Sequence, residues 1–228
     1  EGHCLVMGGS AGFAAGLSDS LPLRCCAQAD CTCPRAHLFL VGSVNQVSLD
    51  QIDRAARQGY PLVRLTFEQQ LSRDYYQRGE SAGLLDAIMA ALLQKRQCIV
   101  STLDNRSQLQ DAAQYARRIA LDPAEVSTRI AANMGVLVQQ LLHRPVSMAL
   151  IVFGGDTLLG IMQAIRCRYI IPIRELRPGI VLSRAVCEDG SLTLVTKAGG
   201  FGEVDTIPYI NKCLDECTSA ATGGFNYV

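Results

Sequence analysis

The chain has 228 residues, 49% of them hydrophobic and 18% charged, enough to bury the core of one large domain or two small ones. Its 21 Lys and Arg balance its 21 Asp and Glu, so no global field draws it to nucleic acid or to an anionic membrane, and neither is expected as a partner. No apolar run approaches the ~20 residues that span a bilayer, and the opening Glu1-Gly2-His3 does not read as a signal peptide.

Apolar strands alternate with helical stretches, which predicts an α/β domain with a mainly parallel sheet and flanking helices, Rossmann-like in three layers. Cys4 to Met7 reads as a strand, followed by the Gly8-Gly9-Ser10-Ala11-Gly12 turn and a short helix of small residues. Ser18 to Arg35 reads as a loop. His37 to Val41 is a strand ending at Gly42-Ser43, and a helix from about Ser48 turns Ile52, Ala55 and Ala56 inward. Pro61 to Thr66 is a third strand. Residues 80–96 carry Leu84, Leu85, Ile88, Leu92 and Leu93 at helical spacing, and Cys98 to Thr102 is a fourth strand. Ser107 to His143 reads as two helices broken at Asp122-Pro123, since proline belongs in a helix's first turn.

Ser147 to Phe153 is a strand that breaks at Gly154-Gly155 into a helix reaching about Arg166. Then the pattern changes. Tyr169 to Val186 is β-rich with Pro172, Pro178 and Gly179, and Asp189-Gly190 marks a hairpin turn into Leu192 to Thr196, giving a hairpin-rich region near the C-terminus. A helix from about Asp205 to Cys217 closes the ordered part, and Thr218 to Val228 reads as a loose tail. With no internal repeat and no long polar linker, residues 1–228 are expected to form a single domain.

Ten cysteines are many for a chain read as lacking a secretory signal. Cys98, Cys167, Cys187 and Cys213 lie in apolar or amphipathic segments, where a free thiol packs as a small hydrophobe. Cys25, Cys26, Cys31 and Cys33 crowd one short stretch, but their spacing matches no common zinc pattern. A loop of free thiols in a reducing cytoplasm is the expected reading, with metal or a disulfide as the alternative. The three histidines, His3, His37 and His143, are far apart and receive no role.

Chemistry is expected at the glycine turns. If the strands are parallel, the turns after Met7, Val41 and Phe153 share one sheet edge, where ligands of open α/β folds bind. Gly154 and Gly155 lack Cβ and permit close approach of a phosphate, while the helix after them opens with Asp156 and Thr157 as caps and a partial positive charge at its first amides. Asp156 alternatively holds Mg²⁺, an ion that takes few carboxylates beside phosphate oxygens. Lys197 precedes a second glycine loop, Ala198-Gly199-Gly200-Phe201-Gly202. It reads either as a point charge on phosphate or as a solvated lysine, and Phe201 as core rather than as the wall of an adenine pocket. No Walker A sequence and no G-x-G-x-x-G after a strand are present. Each turn taken singly is also compatible with an ordinary strand-to-helix connection.

Taken together, Val41-Gly42-Ser43-Val44, Ser48-Leu49-Asp50-Gln51-Ile52, Phe153-Gly154-Gly155-Asp156-Thr157, Glu175-Leu176-Arg177-Pro178-Gly179 and Val195-Thr196-Lys197-Ala198-Gly199-Gly200-Phe201-Gly202 resemble the four-carbon acid sugar kinase family, long catalogued as a domain of unknown function. The resemblance covers nearly the whole chain and fits that family's C-terminal, nucleotide-binding domain. It implies ATP held by Ser43, Gly154, Gly155, Asp156 and Thr157 and by the second loop through Gly199 and Gly200, with Lys197 beside them and Mg²⁺ as the companion ion. It implies transfer of a phosphoryl group to the terminal hydroxyl of a four-carbon sugar acid such as threonate, erythronate or a 3-dehydro form. In that family the sugar acid and the catalytic aspartate belong to an N-terminal domain with an Asp-Asp-x-Thr-Gly-type motif. This sequence has none, so it is expected to be the nucleotide-holding half, inactive without its N-terminal partner domain. Ala198 stands where the family commonly has serine, and Asn45-Gln46 where a small polar residue is usual. A non-catalytic module sensing a nucleotide or sugar phosphate would use the same loops and is the rival reading; an oxidoreductase is disfavoured by the missing fingerprint.

Overall fold

The computed structural model describes residues 7–21, 33–42, 45–102 and 108–222. The chain divides into two compact units, residues 1–30 and residues 31–228. In the first, α1 (Ala11–Ser20) starts at Ser10, whose hydroxyl accepts the Phe13 N–H at 3.3 Å. The helix runs further than expected, through Ser20 rather than giving way to loop at Ser18, because nothing breaks it before Pro22. The strand expected at Cys4 to Met7 falls on residues outside those described except for Met7, which is in no strand. Cys25, Cys26 and Cys31 also lie outside the described residues; Cys33 is buried in the second unit.

The second unit is an α/β fold around a seven-stranded, mostly parallel sheet. Its elements in chain order are β1 (Ala36–Val41), α2 (Gln46–Arg57), β2 (Leu62–Arg64), α3 (Phe67–Leu71), α4 (Ala82–Lys95), β3 (Gln97–Ser101), α5 (Gln108–Arg118), α6 (Val126–Leu142), β4 (Met148–Phe153), α7 (Gly155–Ala164), β5 (Cys167–Arg177), β6 (Ile180–Cys187), β7 (Gly190–Lys197) and α8 (Thr206–Thr222). The strand order is β2-β3-β1-β4-β7-β6-β5. The first five strands are parallel, and β6 and β5 extend the sheet antiparallel as hairpin arms.

β1 and β4 are buried at every position, as unbroken apolar runs require when helices cover both faces of a parallel sheet. On one face Leu38, Leu40, Val100, Leu150 and Val152 meet Leu85 and Ile88 of α4, Leu137 and Leu141 of α6 and Ile161 of α7. On the other, Phe39, Val41, Ile99, Ile151 and Phe153 meet Ile52 and Ala55 of α2 and Ile207, Ile210 and Leu214 of α8. This is the three-layer arrangement expected from the alternating pattern. His37 braces the second layer: its Nδ1 lies 2.8 Å from Asn211 Oδ1 on α8, and its Nε2 lies 3.1 Å from the Pro34 carbonyl.

The break at Asp122 is built as expected. Its carboxylate accepts the Ala124 N–H at 2.9 Å, Pro123 opens a 3₁₀ turn, and α6 follows. Other details differ from expectation. Leu93, one of the leucines at helical spacing, is 67% exposed, because α4 buries the adjacent stripe Leu85, Ile88, Met89 and Leu92 instead. The last helix continues past Cys217 to Thr222, while residues 223–228 lie outside the described set. At the sheet's far side β5 is a border strand, mostly exposed, containing Pro172 and three register shifts against β6. Proline is tolerated there because a border strand leaves some amides unpaired.

Candidate functional site

The parallel strands β1, β4 and β7 are neighbours, and Val41, Phe153 and Lys197 pair across them in register. The loops that follow therefore leave the same edge at the same level. Between β1 and β4 the chain also changes direction. β1 leads through α2 to β2 on one side, and β4 leads through α7 to β5 on the other. Such a reversal opens the crevice in which open α/β sheets bind ligands.

The loops are knitted to one another. The Gly42 N–H donates to the Phe153 carbonyl at 3.4 Å, and the Gly154 N–H to the Lys197 carbonyl at 3.1 Å. A Cβ on Gly42 would overlap Thr157 Oγ1, and one on Gly200 would stand 3.4 Å from Asn45 Nδ2. Asn45 caps α2 by accepting the Val47 N–H at 3.0 Å. Ser43 and Val44, between Gly42 and Asn45, lie outside the described residues.

Gly154 is the first special position. Its φ of 109° and ψ of 135° lie where only glycine sits comfortably, and they turn the chain from β4 directly into α7. Gly154 is itself the N-cap, and no side chain caps the helix. This corrects the cap expected of Asp156 and Thr157: they are the second and third residues of the first turn, past the position from which a side chain caps the helix. Asp156 is exposed, while Thr157 is buried under Gly42. Gly155 is exposed, and a Cβ there would meet nothing within 4 Å. Among the described residues no side chain caps the first-turn amides of α7, which carry the helix's partial positive charge at this edge.

The second loop is organised by Lys197. That side chain is 2% exposed, so the solvated-lysine alternative does not hold. Its ammonium donates to the carbonyls of Phe201 at 2.8 Å and of Ala198 and Gly199 at 3.1 Å, and lies 3.5 Å from Ser48 Oγ. The Phe153 ring lies beneath it, 4.6 Å from Nζ to the centroid. Burial penalises the charged amine and brings it down to about 8.

Two residues without an assigned role complete the arrangement. Ser48 donates to the Gly199 carbonyl at 2.8 Å. Gln51 Nε2 reaches the carbonyls of Phe201 and Gly202 at 3.1 Å, that of Glu203 at 2.9 Å, and Thr206 Oγ1 at 3.3 Å. Both side chains are fully buried. The available signal was their phase: Ser48 and Gln51 flank the buried Leu49, Ile52 and Ala55 on the inward face of α2, where polar groups need a reason. Phe201, expected in the core, is instead 50% exposed, because the loop turns its carbonyls inward and its side chain out onto Gly179.

Two cavities, of about 490 and 440 Å³, lie at the other ends of the strands, near the starts of β4 and β7. Two of the polar side chains lining the larger are committed within the chain: His143 Nδ1 lies 2.7 Å from the Gln139 carbonyl, and Arg166 pairs with Glu188 at 3.1 Å. The glycine edge, with its uncapped amides, is therefore the better candidate site. Among the described residues no group of three or more His, Cys, Asp or Glu is placed to hold a metal ion, and no helix is long and apolar enough to cross a membrane.

A three-layer sheet with uncapped amides at its directional reversal is the architecture of a nucleotide-binding domain. Residues 38–207 match the family described as nucleotide-binding C-terminal domain, and the chain belongs to that family. No curated protein matches the sequence. Among solved structures, a Haemophilus influenzae protein of the DUF1537 family shares 20% identity at a TM-score of 0.67, over 89% of this chain and 45% of its own. A Salmonella typhimurium LT2 protein described as a candidate tRNA synthase gives the same identity and TM-score over 88% and 45%. A Bordetella bronchiseptica DUF1537 protein, a domain-swapped dimer with bound citrate, shares 19% identity at 0.58 over 79% and 41%. Two of these structures, from Haemophilus influenzae and Bordetella bronchiseptica, are DUF1537 proteins, and DUF1537 belongs to the four-carbon acid sugar kinase family that the motifs resemble. At this identity the likeness shows the fold. The chain spans less than half the length of each of these structures.

Proposed function

We propose that this chain is the ATP-holding half of a cytoplasmic kinase that phosphorylates a four-carbon sugar acid, of the threonate, erythronate or 3-dehydro kind, at its terminal hydroxyl. One observation carries the reading: an uncapped helix start, entered through a glycine at φ 109°, beside a glycine loop at the sheet's directional reversal. Phosphoryl transfer asks a protein mainly for positioning and charge neutralisation, and backbone amides supply both.

In this reading the amides of Gly155, Asp156 and Thr157 face the phosphates, Gly154 sets their direction, and Gly199 and Gly200 approach from the neighbouring loop. Ser43 adds a hydroxyl from the third loop. Thr157 contributes its amide only, since its side chain is buried beneath Gly42. The donor set also suits Mg²⁺: Asp156 offers one exposed carboxylate in the first turn of α7, and Mg²⁺ takes few protein ligands when phosphate oxygens and water complete its shell. Mg-ATP bound there would bring the transferable phosphoryl group, while the sugar acid and the base that accepts its proton would come from the rest of the protein. That the related structures are more than twice as long supports such a division.

Calorimetry with Mg-ATP on the wild type and on Gly155→Val tests the reading. A Cβ at this position meets nothing within 4 Å, so we expect the variant to fold, which a urea melt checks. We expect binding by the wild type and roughly tenfold or greater weakening in the variant, about 1.4 kcal/mol or more. Equal affinities would remove the cradle, and no binding by the wild type would remove the nucleotide.

A further inference from the structure

Lys197 and Gln51 use their donors in an unusual direction for a glycine loop read as holding phosphate. Between them they collect the carbonyls of Ala198, Gly199, Phe201, Gly202 and Glu203. Ser48 shares the Gly199 carbonyl. In a trans peptide the carbonyl and the next residue's N–H point in opposite directions. Drawing these five carbonyls down onto one buried hub therefore turns the N–H groups of Gly199, Gly200, Gly202, Glu203 and Val204 away from it. Successive amides aimed at one side form an anion-binding concavity. The strand register puts this loop beside the start of α7.

We infer that Lys197 and Gln51 are positioning residues that act from beneath the loop: they bind its carbonyls, and the amides so turned outward bind the anion. The inference rests on the nucleotide reading above and deepens it. Lys197 does not reach the phosphate as a contact. Its charge serves by holding three carbonyls at once, which a neutral amine with two hydrogens cannot do. The anion in turn favours the charged amine, so binding is strongest while Lys197 is protonated and weakens as pH rises through about 8.

The groups meeting the ammonium are the Ser48 hydroxyl from α2, the Phe153 ring from β4 and the loop's own carbonyls, none of which titrates in this range. Burial is the cause of the lowered value, with no carboxylate contributing. Of the acids on adjoining elements, Asp205 pairs with Arg177, Asp50 accepts from Gln46, Asp156 is exposed, and Glu203 offers Gln51 its carbonyl.

Two measurements decide the matter. First, amide resonances of Gly199, Gly200 and Gly202 in the ligand-free wild type should shift together with a midpoint near pH 8. A flat response from pH 7 to 9.5 would overturn the inference without any variant. Second, Mg-ATP affinity, measured over the same range, where the nucleotide's own charge is constant, should fall roughly tenfold in the wild type. In Lys197→Met it should be weak and independent of pH, and Gln51→Leu should be weakened yet keep the pH-dependent limb. Wild-type affinity matched by Lys197→Met would sink the positioning role while leaving the nucleotide reading intact. Absence of Mg-ATP binding at every pH, with the resonance shifts present, would sink the nucleotide reading alone.

Discussion

Gly154 and Gly155 are adjacent and alike in sequence, but they answer to different forces. Gly154 holds a backbone conformation that an L-residue adopts only under strain, so Gly154→Ala should cost about 1–3 kcal/mol in urea unfolding. Gly155→Ala enters open space and should stay within about 0.5 kcal/mol of the wild type. Lys197 makes a further residue-scale prediction, on stability. Its amine is depressed to about 8 in the fold from an ordinary 10.5. Between those values the unfolded chain binds more protons than the folded one, so on this group's account stability rises with pH through that window. Chemical denaturation from pH 8 to 10 should show the wild type gaining on Lys197→Met. A falling difference would contradict the burial cost.

Helix α7 is aimed by its crossing with α6. A Cβ on Gly160 would overlap the Ala131 carbonyl, and one on Gly135 would overlap the Gly160 carbonyl, so the two backbones touch through small residues. Gly160→Val should therefore destabilise by about 1–3 kcal/mol, as overpacked contacts do. It should also weaken Mg-ATP binding by tilting a helix whose far end carries the amides; paired urea melts and calorimetry would show both, and a stability loss with intact binding would free the aim of α7 from this crossing. At this scale much was legible in the sequence. The parallel core, the Asp122-Pro123 break and the hairpins follow from apolar period and turn residues. Helix α3 was not, because five residues held by a Thr66–Gln69 capping box leave no periodic signal. Nor was the burial of Lys197 legible. Its cage is made of main-chain carbonyls, which every residue owns, and only the inward phase of Ser48 and Gln51 hinted at it.

For the whole molecule, the proposal assigns this chain the holding of nucleotide and leaves sugar-acid chemistry to the remainder of the protein. The chain alone should bind Mg-ATP and yet release no ADP in the presence of threonate or erythronate; steady ADP release in a coupled assay would show that it needs no second half. One feature at the far border bears on how such a piece behaves by itself. Strand β5 offers eleven mostly uncovered residues, Tyr169, Ile170 and Ile171 among them, which invites stacking of copies edge to edge. Pro172 withholds a donor, and the three register shifts spoil the even spacing that an incoming strand would have to match. The same irregularities that loosen the hairpin thereby act as a guard against fibrillar growth, and straightening them should be paid for in aggregation.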